Sequence, residues 1–290
     1  VASRRRLDAE LVRRGLAGSR SEARSLIEAG KVLAGGSVAT KPARMVDPAE
    51  SLVVTGERPR FVGRGGEKLS AALERFELDP SGLRLLDAGA STGGFTDCLL
   101  QAGAREVVAL DVGHGQLHER LVADSRVVVL ERTNIRSVRP GELGTLDAAV
   151  ADLSFISLTV VLEVLVSLVE PGSWMVLLVK PQFEAGRQEA SRGGGVVSDP
   201  DVWQRTVESV ASAAQALGAA IMGVMVSPLR GAEGNVEFLL HAVTGSGDAG
   251  PEGRGGPVDP SGLIRAAVLD ASGAGASADT GAPDGTGSGP

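Results

Sequence analysis

Four ionisable residues stand where short apolar runs begin or end. Lys180 directly follows Met175-Val176-Leu177-Leu178-Val179. Asp152 closes the run that starts at Ala148, and Glu237 opens Glu237-Phe238-Leu239. Lys68 lies in Gly63-Arg64-Gly65-Gly66-Glu67-Lys68-Leu69. Lysine is a poor residue with which to end a buried strand for stability alone, so Lys180 is the sharpest of the four. Two lysines and two carboxylates at one sheet edge could activate a hydroxyl nucleophile. A free lysine, with a pKa of about 10.4, is only about 0.1% neutral near physiological pH, a handicap of about 4–5 kcal/mol for a base. Burial and a second lysine both disfavour its charged form. Lys180 is therefore the expected base or hydroxyl activator. Asp152 and Glu237 would orient the lysines and balance charge, and Lys68 would tune the field or hold the substrate. The alternative is four unrelated charges in two ion pairs, which is the better reading for any one residue alone. The set of four beside a ligand loop argues against it.

That loop is Asp87-Ala88-Gly89-Ala90-Ser91-Thr92-Gly93-Gly94-Phe95. A glycine-rich turn after the first strand of a doubly wound sheet marks a nucleotide-type ligand. Glycine lets the backbone approach it, and the following helix offers free N–H groups. Asp111 ends the next strand, where an acid accepts hydrogen bonds from a ribose diol. The geometry alone leaves a dinucleotide and S-adenosylmethionine both open. The G-x-G-x-x-G fingerprint of dinucleotide sites has Ser91 at its second glycine, which disfavours a pyrophosphate.

Strands must carry these residues. Short apolar runs at Leu83–Asp87, Glu106–Asp111, Val127–Leu130, Ala148–Asp152, Trp174–Lys180, Ile221–Val226 and Val236–Ala242 predict strands. Helical patterns over 67–76, 93–102, 156–169 and 200–217 separate most of them. Alternation of this kind predicts an α/β fold with a mostly parallel sheet.

The amino-terminal 60 residues differ in kind. They hold 12 Lys+Arg and 7 Asp+Glu, a net of +5, while the remainder is net −12 within a total of −7. A basic module on an acidic body points to an anionic partner. Residues 4–15 predict a helix with Leu7, Leu11 and Val12 on one face. Ser19 and Glu22 form an expected capping box for a second helix that ends near Ala29. Gly35-Gly36 joins two short strands as a hairpin, and 51–54 adds another.

This helix–helix–hairpin unit, with Arg4-Arg5-Arg6-Leu7-Asp8, Ser19-Arg20-Ser21-Glu22-Ala23-Arg24, Ile27, Gly30 and Val32, resembles the S4 RNA-binding domain. The resemblance implies phosphate contacts from Arg5, Arg6, Arg20, Arg24, Lys31, Lys41 and Arg44, with Arg64 of the linker added. Such contacts read the shape and backbone of structured RNA, since A-form RNA hides its major groove.

Composition removes other classes. Apolar residues make up 43% and charged residues 22%, as in globular proteins, which excludes disorder throughout. Cys98 is the only cysteine, so no intrachain disulfide or Cys-rich zinc site exists. It lies on an apolar helix face, which suits an inert thiol better than a nucleophile. No apolar run reaches the ~18 residues of a membrane span. The amino terminus is basic, but Asp8 and Glu10 follow where a signal peptide would be apolar. A cytoplasmic location is expected. His114 and His118 are four apart but lack a third ligand, so no metal is expected. Ser154 and Ser157 lack a histidine partner for a hydrolase triad. From Gly245 onward the chain holds 13 of its 40 glycines and a net charge of −4, which predicts a disordered tail over 245–290, with at most a helical turn near Gly262–Asp270.

The D-x-G-x-S-x-G-G-F loop looks like that of RNA ribose methyltransferases, and the order Lys68, Asp152, Lys180, Glu237 matches the tetrad of FtsJ-like 2′-O-ribose methyltransferases. With the Val62–Leu69 junction, Asp111-Val112-Gly113 and Lys180–Glu184, the chain resembles the TlyA (hemolysin A) family over residues 4–243. The resemblance implies a Rossmann-like class I methyltransferase domain over 67–244, behind an α+β S4 domain over 4–58 and a linker over 59–66. It implies S-adenosylmethionine as cofactor, held by Asp87, Gly89, Ala90, Ser91, Thr92, Gly93, Gly94, Phe95, Asp111 and Asp152. The implied reaction is 2′-O-methylation of cytidine in 16S and 23S ribosomal RNA. The expected form is a monomer acting on ribosomal subunits, without stable membrane association. His114 departs from the family's usual Tyr, and Phe61 stands where mycobacterial members have Trp. A membrane-active hemolysin, a non-catalytic ribosome-assembly factor and an NAD oxidoreductase are the competing readings.

Overall fold

The computed structural model describes residues 4–17, 20–56, 59–186, 189, 194–231, 234–245 and 259–273. The expected capping box at Ser19 and the tail segments 246–258 and 274–290 lie outside them.

The amino-terminal module is built from β1 (Arg5–Arg6), α1 (Leu7–Arg13), α2 (Arg20–Glu28), β2 (Val32–Ala34), β3 (Ser37–Val38), β4 (Met45–Val46) and β5 (Leu52–Val54). Leu7 and Leu11 of α1 meet Ile27 of α2 and Val32, Val46 and Leu52 of the strands in a core of their own. α1 is shorter than the expected helix over 4–15, because Arg5 and Arg6 are extended and pair with Val46 and Met45. Gly35 and Gly36 both take positive φ, 61° and 80°, as a two-residue hairpin turn between β2 and β3 demands.

The larger domain runs α3 (Gly65–Arg75), β6 (Arg84–Ala88), α4 (Gly94–Gln101), β7 (Glu106–Leu110), α5 (Glu119–Val122), β8 (Val127–Leu130), β9 (Ala148–Ala151), α6 (Leu162–Leu168), β10 (Trp174–Val179), α7 (Pro181–Glu184), α8 (Pro200–Ala216), β11 (Ala220–Val226), β12 (Phe238–Val243) and α9 (Pro260–Ala271). The seven strands lie in the order β11-β12-β10-β9-β6-β7-β8. β12 is antiparallel to both neighbours, while β10, β9, β6, β7 and β8 are parallel. Side chains alternate across the sheet, as strand geometry requires. Leu85, Val107, Val176 and Leu178 pack with Leu69 of α3 and Leu99 of α4. Leu86, Val108, Met175 and Leu177 face the other way, against Leu165 of α6 and Val207 of α8. Helices thus cover both faces, the arrangement that forces near-continuous apolar strands.

Two expectations are corrected. The helix expected over 156–169 is a 3₁₀ turn at Leu158–Val160 followed by α6. The tail expected to be disordered from 245 carries α9, a 12-residue helix against β11 and α8. Its Ile264, Ala267 and Val268 are buried, and Asp259 caps it by accepting the Ser261 N–H. Glycine-rich composition averaged over the segment hides this local apolar spacing.

Candidate active site

The site grows from the end of β6. The chain leaves Ala88, and Gly89 and Ala90 donate their N–H groups to the Leu110 carbonyl. Gly89 has φ +87°, and a Cβ there would run into the Asp152 carbonyl. Asp111, just past β7, accepts the Ser91 N–H and the Gly113 N–H, both at 2.7 Å. This staple holds Ser91 at φ +49° and leaves Ser91 and Thr92 exposed. Gly93 caps α4 from the left-handed region, with Leu117 and Leu121 filling the space where a side chain would go. A Cβ on Gly94 would lie 2.9 Å from the Gly66 N, so the starts of α3 and α4 approach as bare backbone.

Asp87 is placed differently from its expected role at the cofactor. It is fully buried behind the loop, and its Oδ2 accepts the Thr96 hydroxyl at 2.6 Å. Oδ1 has no partner. Burial, with the Asp152 and Asp111 charges adding to it and the Thr96 bond opposing, raises its pKa to about 7. It supports the loop from below.

The loop forms one wall of a cleft of about 250 Å³. Gly89, Ala90, Ser91, Thr92, Gly94 and Phe95 of the loop line it, together with Arg64, Gly65, Asp152, Ser154 and Lys180. The four expected chemical residues are brought together at this edge, as two ion pairs. Lys180 Nζ lies 2.6 Å from Asp152 Oδ1, off the hydrogen-bond angle, and donates to Ser154 Oγ at 3.0 Å. Lys68 donates to Glu237 in a short, buried contact. Lys68, Lys180 and Glu237 are all under 9% exposed. Topology explains why Glu237 joins residues that end strands. β12 runs antiparallel, so the residue before its start lies at the edge where β9 and β10 finish. Val179 pairs with Phe238, which sets Lys180 beside Glu237 at the next register position.

Three residues were not anticipated. Phe155 follows Ser154 at φ +63°, is 92% exposed, and packs on Phe183 with ring centroids 5.2 Å apart. Exposure and strain are invisible in sequence, although the step D-L-S-F from Asp152 was the available signal. Asp97 is buried in α4 and accepts the linker Val62 N–H at 2.8 Å and Arg120 at 2.7 Å. Ser154 supplies the hydroxyl described above. Arg64, expected on RNA, lines the cleft and donates to the Arg230 carbonyl.

The remaining expected RNA contacts lie on the amino-terminal module. Arg5, Arg20, Arg24, Lys31 and Lys41 are exposed, Arg6 is half-buried, and Arg44 is paired with Glu50 at 2.6 Å. The histidines do other work. His114 pairs with Glu131 at 2.6 Å, and His118 caps α5 by accepting the Arg120 N–H. Among the described residues no group of three His, Cys, Asp or Glu is placed to hold a metal ion. Cys98 is buried, and burial pushes its thiol up to about 12.

Residues 61–243 match the model of the FtsJ-like methyltransferases, and residues 5–52 match the S4 domain. The chain is 53% identical over 242 residues to "16S/23S rRNA (cytidine-2'-O)-methyltransferase TlyA" of Mycobacterium tuberculosis, spanning 83% of this chain and 90% of that protein. The chain belongs to the TlyA family of FtsJ-like methyltransferases. "Hemolysin A" of Brachyspira hyodysenteriae is 36% identical, over 82% of this chain and 99% of its own length. The solved "Putative hemolysin from Streptococcus thermophilus" superposes with a TM-score of 0.69 at 35% identity, covering 95% of this chain and all of the other. The fold is therefore that of S-adenosylmethionine-dependent methyltransferases, with β12 inserted antiparallel where the dinucleotide-binding sheet has none. Among the described residues no helix is long and apolar enough to cross a membrane.

Proposed function

We propose that this methyltransferase moves a methyl group from S-adenosylmethionine to the ribose 2′-hydroxyl of cytidine in ribosomal RNA, in the cytoplasm. The observation that carries this reading is Lys180, whose amine already holds one hydroxyl oxygen, Ser154 Oγ, at 3.0 Å inside the cleft. A substrate hydroxyl entering there meets the same donor.

The cofactor suits the loop. Gly89 and Gly94 clear side-chain volume, the amino terminus of α4 offers N–H groups, and Asp111 keeps free lone pairs for a ribose diol beyond its two backbone bonds. Gly89 to Phe95 and Asp111 would hold it, with Asp152 beneath. Bound S-adenosylmethionine supplies an electrophilic methyl carried on a sulfonium. In its neutral amine form, Lys180 takes up the proton that the hydroxyl oxygen releases as that oxygen accepts the methyl group. Asp152 fixes the Lys180 amine, and the buried Lys68–Glu237 pair lies at the same sheet edge. Phe155, exposed beside Ser154, offers a face on which a base that has left its stack can rest. The S4 domain carries the RNA.

The test is incubation with methyl-labelled S-adenosylmethionine and separate 30S and 50S subunits, followed by nuclease mapping. Label at a cytidine ribose is the expected result. Lys180→Ala should lower transfer by roughly 10²–10⁴-fold, the range for a lost general base, with cofactor binding retained. Absence of transfer beside intact cofactor binding would favour a non-catalytic ribosome-assembly factor. Undiminished transfer by Lys180→Ala would remove Lys180 from the chemistry.

A further inference from the structure

The RNA-facing module contains an acid where a basic face would be expected to exclude one. Asp8, in the first turn of α1, has its side chain fully buried. Arg6 donates to it twice, from Nε at 3.1 Å and Nη2 at 2.9 Å. Arg20 of α2 donates at 3.1 Å, and Arg24 Nε stands 3.6 Å away as an ion pair. One carboxylate on α1 therefore gathers three guanidinium groups, two from α2 and one from the end of β1. All three stay open to solvent, at 41%, 57% and 55% exposure.

The neighbouring acid shows the contrast. Glu10 is equally buried and pairs with Arg13 and Arg14. Arg14, however, turns inward, is 21% exposed, and donates to the carbonyls of Glu50 and Pro48 at 2.8 and 2.9 Å. Arg13 stays 49% exposed, so that cluster ties the module together through Arg14. The Asp8 cluster ties down side chains that point out.

We infer that Asp8 is a positioning residue that assembles Arg6, Arg20 and Arg24 into one preformed site for RNA phosphates. The inference rests on the reading of this module as an RNA-binding domain. Each guanidinium has five N–H donors, of which Arg6 commits two to Asp8 and Arg20 one, while all three side chains keep about half their surface exposed. Three like charges held this close would splay apart without the carboxylate between them. With it, the cluster keeps a net charge of +2 and the planar donors keep their directions. Bidentate phosphate recognition depends on such directions.

The proposal opposes simple electrostatics, which gives it a sharp test. Removing a negative charge from a basic face should tighten RNA binding if only the field matters. If Asp8 acts by positioning, Asp8→Asn in the full chain should weaken binding to isolated 30S or 50S subunits by about ten-fold, since three long side chains must then be ordered on binding. S-adenosylmethionine affinity should not move. Equal or tighter subunit binding by Asp8→Asn would overturn the inference. A cycle separates positioning from a general loosening of α1. In an Arg6→Gln, Arg20→Gln, Arg24→Gln background the Asp8→Asn penalty should vanish, and a penalty that persists would also overturn it. Failure of the unaltered protein to bind either subunit at low salt would instead overturn the RNA reading beneath it. That case is recognised because the arginine substitutions would then change nothing.

Discussion

Lys68 and Glu237 form a buried ion pair whose presence is hard to explain by stability. Taking both charges out of water costs several kcal/mol each, and apolar residues of similar volume often do as well or better. Glu237→Leu should lower stability by about 3–5 kcal/mol, because Lys68 is then left buried and alone. Lys68→Met combined with Glu237→Leu should recover most of that loss in a denaturant melt, yet methylate nothing. Recovery of activity along with stability would reduce the pair to scaffolding. Asp87 gives a second handle, through pH. Its folded-state pKa of about 7 lies above the unfolded value near 3.9, so between those limits the folded chain binds more protons than the unfolded one. Its contribution to stability therefore falls as pH rises from about 4 to 7 and is flat above, at most about 4 kcal/mol over that window. Asp87→Asn should flatten this slope, leaving the difference in Tm between pH 5.5 and pH 8 smaller than in the unaltered protein. An unchanged difference would mean that Asp87 is already ionised in the fold. The tetrad was legible in the sequence because a charge at the end of an apolar run is conspicuous. Asp8, Asp97 and the burial of Asp87 were not, since residue type and neighbours do not tell whether a carboxylate faces water, a ligand or the interior.

At the level of elements, the loop after β6 is shaped by what cannot be added to it. Gly89 needs φ +87°, and the Asp152 carbonyl occupies the space of its missing side chain. Gly89→Ala should cost about 1–3 kcal/mol in backbone strain alone and push the loop off β9. Cofactor affinity measured by titration should fall with it, while subunit binding through the amino-terminal module should hold. A normal cofactor affinity would show that the loop has slack. All seven strands of the sheet were legible from apolar runs bounded by turn residues. Their order was not. Nothing local marks β12 as antiparallel, although that reversal is what delivers Glu237 to Lys180. Nor did composition reveal α9, although Asp259-Pro260 is a capped helix start and Ile264 and Val268 repeat at helical spacing. Short elements such as β1, β4, α5 and α7 carry too few residues for any periodicity to show.

The whole molecule divides its labour by charge. The amino-terminal module is net basic on a net acidic chain, and its core is separate from those of the sheet domain. Cofactor binding should therefore respond little to ionic strength, and RNA binding strongly. Each neutralised phosphate releases counterions and adds about 0.7–0.9 to the slope of log affinity against log salt. Lys31 and Lys41 are exposed and take no part in the Asp8 ion pairs, so their loss should act through charge alone. Lys31→Ala and Lys41→Ala should each lower the slope for subunit binding by about one phosphate's share, and the double substitution by about twice that. In steady-state methylation the same variants should raise KM for the subunit and leave kcat in place, because the residues at the sheet edge are untouched. A fall in kcat at saturating subunit would instead mean that the basic module shapes the geometry of transfer. The two domains would then act as one active site and not as a carrier and a catalyst.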